Sequence, residues 1–127
     1  MDNALNKVLG SLPDETKVFC GHEYTLANLK FAGSVEPGNV DILEFNKKCK
    51  EHRKLDPPKP TIPSTILQEK KINPFMRLHS VQIKESVGAN GIDDNIEIMR
   101  LMHRVCNISI PMTCSLRVLS MKMDVIS

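Results

Sequence analysis

The stretch KVFCGHEYTLANLKFA, residues 17–32, places a short apolar run directly before a helical pattern. The run is short enough for one strand and is ended by Gly21. From Thr25 onward the apolar residues recur at helical spacing, and Gly33 is a stop signal. We therefore predict a strand followed by a helix. His22 lies at their junction, which makes the junction the first candidate site.

The segments on either side predict further helices. Upstream, residues 3–12 follow a helical period with Asp2 or Asn3 as the cap. The apolar face of that predicted helix carries Ala4, Leu5, Val8, Leu9 and Leu12. Downstream, Asn39 is predicted to cap a helix that ends in the basic run KKCKEHRK. We interpret that run as a solvated face.

The middle of the chain is divided by prolines and capping residues. Four prolines within residues 55–63, LDPPKPTIP, exclude a helix and hold this segment extended. Thr65 with Gln68 predicts a capping box for a short helix, and Gly88 ends a weak one. Asp93 or Asp94 is then predicted to cap a helix with Ile98, Leu101, Met102 and Val105 on one face.

Length, composition and charge exclude several classes of function. The chain has 127 residues, 41% of them hydrophobic and 25% charged, as in one ordinary globular domain. Its net charge is +2 and it has no basic stripe with interleaved aromatic residues, so we expect no nucleic-acid partner. No apolar run approaches the ~20 residues of a membrane span, and we expect no membrane partner. The N-terminus fits neither a secretory nor a transit peptide, which favours a cytoplasmic location, with mitochondria an alternative for a longer form.

The cysteines carry no recognisable metal-binding spacing. Cys20, Cys49, Cys106 and Cys114 include no CxxC pair. Without a secretion signal we interpret them as reduced thiols rather than as two disulfides. A zinc site formed by His103, Cys106 and Cys114 is a weaker alternative, because no fourth ligand lies at a usual spacing.

The histidines alone do not form an active site. A hydrolytic metal centre needs several converging imidazoles and carboxylates, with one position open for water. His22, His52, His79 and His103 are scattered, with no HxH, HxxxH or HxxEH pair. Cys20 and His22 on one strand are an alternative nucleophile and base, since residues i and i+2 point the same way, but nothing orients them. On the residues alone, His22 is best interpreted as a satisfied structural histidine.

Two longer stretches change this interpretation. Residues 12–39, LPDETKVFCGHEYTLANLKFAGSVEPGN, and residues 60–77, PTIPSTILQEKKINPFMR, closely resemble the C-terminal part of glyoxalase II. Glyoxalase II is the hydroxyacylglutathione hydrolase of the metallo-β-lactamase superfamily, and the resemblance runs from about residue 3 to about residue 104. It implies hydrolysis of S-D-lactoylglutathione, a thioester, to D-lactate and glutathione at a binuclear zinc or iron site, a step of methylglyoxal detoxification.

The resemblance assigns roles to residues at the junction. His22 falls where the family has its last metal-binding histidine. Tyr24 falls where a tyrosine contacts glutathione, and Asn28 where an asparagine lies near the bound peptide. Glu23 belongs with His22 to the same substrate-lining segment. The resemblance therefore predicts His22 as a metal ligand and all four residues as substrate-binding.

The same resemblance implies that the metal site is incomplete in this sequence. The family's THxHxDH motif, its further metal histidine and its bridging aspartate all lie upstream of the matched region. One imidazole does not hold two metal ions against water. We expect no complete catalytic set in residues 1–127, no stable binding of zinc or iron by them, and no thioester hydrolysis by them alone.

The C-terminal end of the matched region also departs from the family. Relatives continue IMRLM into an RREKD-like segment, in which an arginine and a lysine bind the glutathione carboxylates. His103 and Cys106 occupy those places here, with Arg104 as a weak candidate cation. A neutral imidazole and a thiol are poor substitutes for fixed cations, so we expect weak binding of glutathione.

The predicted fold class is mainly α. Residues 1–35 are assigned to the remnant of a metallo-β-lactamase-like α/β domain, one strand plus a helix. Residues 36–105 are assigned to the helical C-terminal domain of glyoxalase II, and residues 106–127 to a divergent tail. The composition changes near this boundary, since five of the seven methionines fall from residue 99 onward. The alternative function is a non-catalytic interaction or regulatory isoform that self-associates or binds a partner through an exposed apolar face.

A strand and helix without the rest of their domain are expected to be poorly covered. The residues expected to leave apolar surface in water are Val18, Phe19, Leu26 and Phe31. We also expect a bare strand edge with unpaired backbone groups. Residues 1–35 are therefore predicted to be more loosely held than residues 39–104.

Overall fold

The computed structural model describes residues 2–20, 23–109 and 124–126. The chain is mainly helical, as the sequence predicts. It opens with a π-helix at Asn3–Val8 and a 3₁₀ turn at Leu9–Ser11, and a second 3₁₀ turn lies at Pro74–Met76. The α-helices are α1 Thr25–Val35, α2 Val40–Arg53, α3 Ile66–Ile72, α4 Val81–Ser86 and α5 Asn95–Ser109. In the part of the chain that the structure describes, no helix is both long enough and apolar enough to cross a membrane.

The predicted strand is the centre of a small antiparallel sheet. Its strands are β1 Lys17–Phe19, β2 Ser64–Thr65 and β3 Asp124–Ile126, in the order β2-β1-β3. Val18 is paired with Ser64 on one side and with Val125 on the other. The expectation of a bare strand edge at β1 is therefore wrong, because both of its edges are hydrogen-bonded.

The N-terminal helix forms where predicted but with a different geometry. The Leu9 amide donates to the carbonyls of Ala4 and Leu5, and the first of these is the wider π-type bond. This winding departs from the 3.6-residue period on which the predicted face was based. Leu5 is buried as expected, whereas the Val8 side chain is 56% exposed.

Helix α1 continues past the glycine that was predicted to end it. Gly33 lies inside the helix, and Val35, two residues later, is buried in the core. The last turn closes when the Glu36 amide donates to the Ala32 carbonyl over 2.9 Å. Pro37 follows and disfavours the helical conformation at Glu36, so the proline ends the helix.

The predicted caps of α2, α3 and α5 are confirmed, whereas Asp2 occupies the N-cap position of the first helix without a side-chain capping hydrogen bond. The Asn39 side chain accepts from the Ile42 amide at 3.3 Å, and Thr65 Oγ1 accepts from the Gln68 amide at 3.2 Å. Of the two candidate caps for α5, Asp94 accepts a hydrogen bond from the Ile96 amide at 3.0 Å. Gly88, which follows α4, has a φ of +72°, a conformation that glycine adopts without strain.

The main hydrophobic core joins both ends of the described helical region. Phe31 of α1 stacks on Phe75, with 6.1 Å between ring centroids. The buried members of this core are Leu5, Phe31, Val35, Phe75, Met76, Leu78, Ile83, Val87, Ala89, Ile98, Met99, Met102 and Cys106. It thus contains residues from both sides of the predicted domain boundary after residue 35. That boundary remains a prediction.

A second core cluster lies on another face of α1. Its buried members are Leu29, Ala32, Ile42, Cys49 and Ile72. Helix α1 is therefore packed on two sides, by residues of α2 and α3 in this cluster and by the main core. Val18 is 4% and Phe31 2% exposed, so the expectation that they leave apolar surface in water is wrong. Phe19 is 37% exposed, as expected, and Leu26 is half-buried against the second cluster.

A buried ion pair fixes the end of α1. Arg77 donates from Nε and Nη2 to the two carboxylate oxygens of Glu36, each over 2.9 Å. Ser80 and Asn39 donate to the same carboxylate at 2.6 and 2.8 Å. Because Glu36 and Arg77 lie 41 positions apart, this pair holds the C-terminal end of α1 against the turn at residues 74–76.

Candidate functional site

The predicted metal ligand lies outside the described residues. The structure describes Cys20 before it and Glu23 after it, whereas residues 21 and 22 are not described. The role of His22 therefore stays a prediction. Its neighbours Glu23, Tyr24 and Asn28 are described and define the candidate site.

Glu23 is held by the proline-rich segment. Its Oε1 accepts from the Thr61 amide at 2.8 Å and from the Thr61 hydroxyl at 2.5 Å. Arg53 Nη1 lies 3.6 Å from the same oxygen. The hydroxyl hydrogen bond, then the amide hydrogen bond, hold the pKa of Glu23 below its usual range, with a smaller contribution from the Arg53 charge. Glu23 is therefore an ionised group whose contacts are made within the protein.

Tyr24 and Asn28 lie one turn apart at the start of α1. Tyr24 occupies the N-cap position, and its carbonyl accepts from the Asn28 amide at 2.9 Å. Residues four apart on a helix share a face. The two residues that the family resemblance assigns to glutathione contact are therefore neighbours in the structure.

Asn28 opens onto a mostly apolar cavity of about 90 Å³. The cavity lies between β1, α1, α2 and the segment that leads into α3. Its apolar lining includes Val18, Leu29, Phe31, Ala32, Phe45, Ile62, Ile72 and Pro74. Asn28 is one of the polar residues of the lining, together with Thr25 and Thr61.

The remaining polar groups of the cavity wall are largely bonded to one another. Ser64 donates to Glu69 Oε1 at 2.5 Å, and Asn73 donates to Glu69 Oε2 at 2.9 Å. The Asn73 oxygen in turn accepts from the Phe75 amide at 3.1 Å. Because this network satisfies both carboxylate oxygens, Glu69 is a structural part of the wall.

Comparison with known proteins identifies the family. Residues 23–107 match the family model described as "Hydroxyacylglutathione hydrolase C-terminus", which covers more than half of the chain. The chain belongs to the hydroxyacylglutathione hydrolase family. This confirms the resemblance drawn from the two long stretches.

Curated relatives bear the same name and are much longer. Hydroxyacylglutathione hydrolase of Shewanella pealeana is 52% identical over 79 residues, which are 62% of this chain and 29% of the relative. The protein of the same name from Aliivibrio fischeri is 46% identical over 98 residues, 77% of this chain and 37% of the relative. The Shewanella baltica protein is 44% identical over 95 residues, 75% and 35% of the two chains. The chain spans about a third of the length of these relatives.

The described part of this family member does not fit the binuclear metal site that the resemblance implies. No group of three or more histidine, cysteine, aspartate or glutamate residues converges among the described residues. Cys49 is a buried free thiol in the second core cluster. A ligand set for zinc or iron is thus not assembled in this part of the molecule.

The alternative zinc site is also not supported by the packing of α5. The His103 ring lies 5.0 Å from the Phe75 ring, centroid to centroid, and burial lowers the pKa of His103. Cys106 is buried in the main core, at 1% exposure. Cys114, the third proposed ligand, lies outside the described residues. The described members of this set therefore have core-packing roles.

The predicted loss of carboxylate-binding cations stays a prediction, and the structure gives the packing of the two positions concerned. His103 and Cys106, at the family's cation positions, pack inward. Arg104, the weak candidate, is exposed on α5 and is not among the residues that line the cavity. Its role stays a prediction.

Two residues near the site were missed by the sequence analysis. Arg53 was placed in a solvated basic run, yet its guanidinium lies beside Glu23. Thr61 lies among prolines, where no hydrophobic period predicts its contacts. The one sequence feature that points to it is its position within the second stretch that resembles the family. Both contacts join segments more than 25 positions apart, which local patterns do not reveal.

Proposed function

We propose that this chain supplies the substrate-lining helical part of a hydroxyacylglutathione hydrolase. The reaction is the hydrolysis of the thioester S-D-lactoylglutathione to D-lactate and glutathione. The observation that carries the proposal is the placement of Tyr24 and Asn28 on adjacent turns at the start of α1, with Asn28 lining the cavity. In this proposal Asn28 hydrogen-bonds the peptide part of the substrate and Tyr24 contacts the same glutathione moiety.

Glu23 has a different role in this proposal. Its carboxylate is already engaged by Thr61, so it keeps the substrate-lining segment in place. Arg104 is a remote candidate for a substrate carboxylate. Glutathione and its thioesters are therefore the ligands to be tested first, and the cytoplasm is the proposed location.

The proposed metal chemistry is limited by the donor set. Zinc or iron would supply an activated hydroxide in a hydrolase of this kind. His22 is the one residue of this chain proposed as a ligand, and the described residues assemble no further set. We propose that residues 1–127 alone neither hold a binuclear centre stably nor carry out the hydrolysis.

An NMR titration with S-D-lactoylglutathione at millimolar concentration tests the substrate role. The backbone amides of Tyr24 and Asn28 should shift as the ligand is added. Asn28→Ala should weaken the response, whereas Asn90→Ala, in the exposed turn before α5, should leave it unchanged. Shifts confined to residues away from the start of α1 would contradict the proposal.

The alternative, a non-catalytic interaction module, has one observation in its favour. Val40, Leu43 and Leu67 are 65%, 54% and 45% exposed on α2 and α3. A groove of about 380 Å³ with Leu67, Phe45 and Ile72 in its lining separates these helices. Sedimentation of the chain over a range of concentrations would test self-association, and Leu43→Lys should abolish it if this face is used.

A further inference from the structure

Thr61 makes an unusual concentration of contacts with the start of α1. It is 8% exposed, and it offers both its amide and its hydroxyl to one oxygen of Glu23. The same hydroxyl lies 2.7 Å from the hydroxyl of Thr25. Three hydrogen-bonding contacts thus connect one threonine of the proline-rich segment to two residues 38 and 36 positions before it.

The two residues that Thr61 contacts are the immediate neighbours of Tyr24. Glu23 precedes Tyr24 and Thr25 follows it, so both sides of the tyrosine are tied to the same point. The N-cap of α1 is Tyr24 itself, which makes no side-chain capping hydrogen bond. Thr61 thus contacts the residues on both sides of the N-cap of α1.

The position of that first turn determines where Asn28 points. The Asn28 amide bonds to the Tyr24 carbonyl, so a displacement of Tyr24 is passed directly to Asn28. Thr61 is also part of the cavity lining, beside Asn28 and Thr25. One residue thus contacts the cavity and both neighbours of the proposed substrate-binding tyrosine.

We propose that Thr61 is a positioning residue, which fixes Tyr24 and Asn28 in register with the cavity through Glu23 and Thr25. The inference rests on the proposed substrate role of Tyr24 and Asn28. Thr61 acts through these residues. Its hydroxyl is the group that a substitution can remove, because the backbone amide remains in any variant other than proline.

The substitution Thr61→Val tests the hydroxyl, since valine keeps the shape and the amide of threonine. The variant loses a hydrogen bond to a charged carboxylate, which should lower hydrogen-exchange protection of the Asn28 amide, in the first turn of α1, by about tenfold. Tyr24 is the only tyrosine and the chain has no tryptophan, so its fluorescence reports the same segment. Acrylamide should quench that fluorescence more strongly in the variant.

Two further variants separate positioning from general stability. Thr61→Ser keeps the hydroxyl and should restore both protection and quenching. Thr65 lies four positions after Thr61 and caps α3 through the Gln68 amide. Thr65→Val removes that hydrogen bond and should lower stability without affecting Tyr24. Unchanged protection at Asn28 in Thr61→Val, or an equal loss in Thr65→Val, would overturn the role of Thr61.

A titration with ligand tests whether the Thr61 contacts affect substrate binding. With S-D-lactoylglutathione, the response of Tyr24 should be weaker in Thr61→Val than in the unchanged chain and in Thr65→Val. If the unchanged chain shows no response at Tyr24 or Asn28, the proposed function fails and the positioning role fails with it. If the ligand response is present and equal in all variants, only the inference about Thr61 fails.

Discussion

The carboxylate of Glu36 shows at the scale of single residues how this sequence stabilises the end of α1. Burial alone would raise the pKa of Glu36, but hydrogen bonds from Arg77, Ser80 and Asn39, with the charge of Arg77, lower it to about 2. The Glu36 side chain is only 5% exposed, so solvent screens the interaction weakly. Neither end of this pair was identified from the sequence, because its members lie in different motifs.

The lowered pKa predicts a loss of stability in acid. The folded-state pKa lies below the ordinary value of 4.5, so the contribution is present above pH 4.5 and is lost as the pH falls towards 2. Its size is about 3 kcal/mol, at 1.36 kcal/mol for each pKa unit. Urea unfolding between about pH 6 and pH 3 should show about 2 kcal/mol of this loss in the unchanged chain, because pH 3 still lies above the folded-state pKa, and a much smaller loss in Glu36→Gln.

A matched control for that experiment lies on α5. Glu97 pairs with Arg100 at 3.1 Å on the surface, with side chains 38% and 66% exposed. Surface pairs contribute little, so Glu97→Gln should retain the acid dependence of the unchanged chain. Equal pH profiles for Glu36→Gln and the unchanged chain would show that the buried pair is not the source.

Weak glutathione binding is a second prediction at the residue scale. His103 and Cys106 stand where the family has its arginine and lysine, and both pack inward. Each charge-assisted hydrogen bond contributes roughly 1.5–3 kcal/mol, so the loss of two lowers affinity by orders of magnitude. Calorimetry should give no dissociation constant in the low micromolar range. A value in that range would mean that another cation, such as Arg53, has replaced the missing pair.

At the scale of elements, caps and breaks were predictable because they are local. Asn39, Thr65 and Gly88 act within four residues of their own positions, and the sequence identifies them directly. The predicted end of α1 was wrong. Gly33 is a local stop signal, but the burial of Val35 against residues distant in sequence favours continuing the helix. The π-geometry of the first helix was also missed, since its apolar spacing is compatible with an α-helix.

Asn39 provides a prediction at this scale, because its side chain does more than cap α2. Its Nδ2 donates to Glu36 at 2.8 Å and to the Lys71 carbonyl at 2.9 Å. Asn39→Asp keeps the capping oxygen but loses both donors and places a second carboxylate beside Glu36. We expect a destabilisation of about 1–3 kcal/mol in urea unfolding.

Thr65→Asp is the comparison for Asn39→Asp. Thr65 Oγ1 caps α3 through the Gln68 amide, and aspartate is at least as good an N-cap as threonine. This change should therefore leave stability within about 0.5 kcal/mol of the unchanged chain. If both aspartate variants are equally stable, the two donor bonds of Asn39 contribute nothing.

At the scale of the whole molecule, the family and the mainly helical fold were predictable, whereas the packing between segments was not. The resemblance located Glu23, Tyr24 and Asn28, and the structure places them together at one helix start. It did not reveal that Thr61 holds them or that Phe31 and Val35 enter the main core. Such contacts join residues far apart in sequence, and no local period encodes them.

The metal-ligand count gives a prediction for the chain as a whole. Residues 1–127, supplied with zinc or iron, should not hydrolyse S-D-lactoylglutathione above a control without protein. One predicted imidazole ligand is too few for a binuclear centre. Absorbance at the thioester band would follow the reaction. Metal-dependent hydrolysis that His22→Ala abolishes would contradict this expectation.

Packing of α1 changes the expected pattern of amide exchange across the molecule. The sequence suggested that residues 1–35 are loosely held because a strand and helix had lost their domain. In the structure β1 has a partner on each edge, and α1 contributes to both core clusters. Phe75 stacks with Phe31 of α1 and lies 5.0 Å from the His103 ring of α5.

Residues 29–35, the buried part of α1, should therefore open only together with α5. Native-state exchange should give residues 29–35 protection close to that of residues 98–104, because both segments are buried in the same core. Phe31→Ala should cost about 3–5 kcal/mol and lower protection in both helices. Val40→Ala, at a position that is 65% exposed, should change neither. Early exchange of α1 while α5 stays protected would instead support the loosely held N-terminal segment that the sequence suggested.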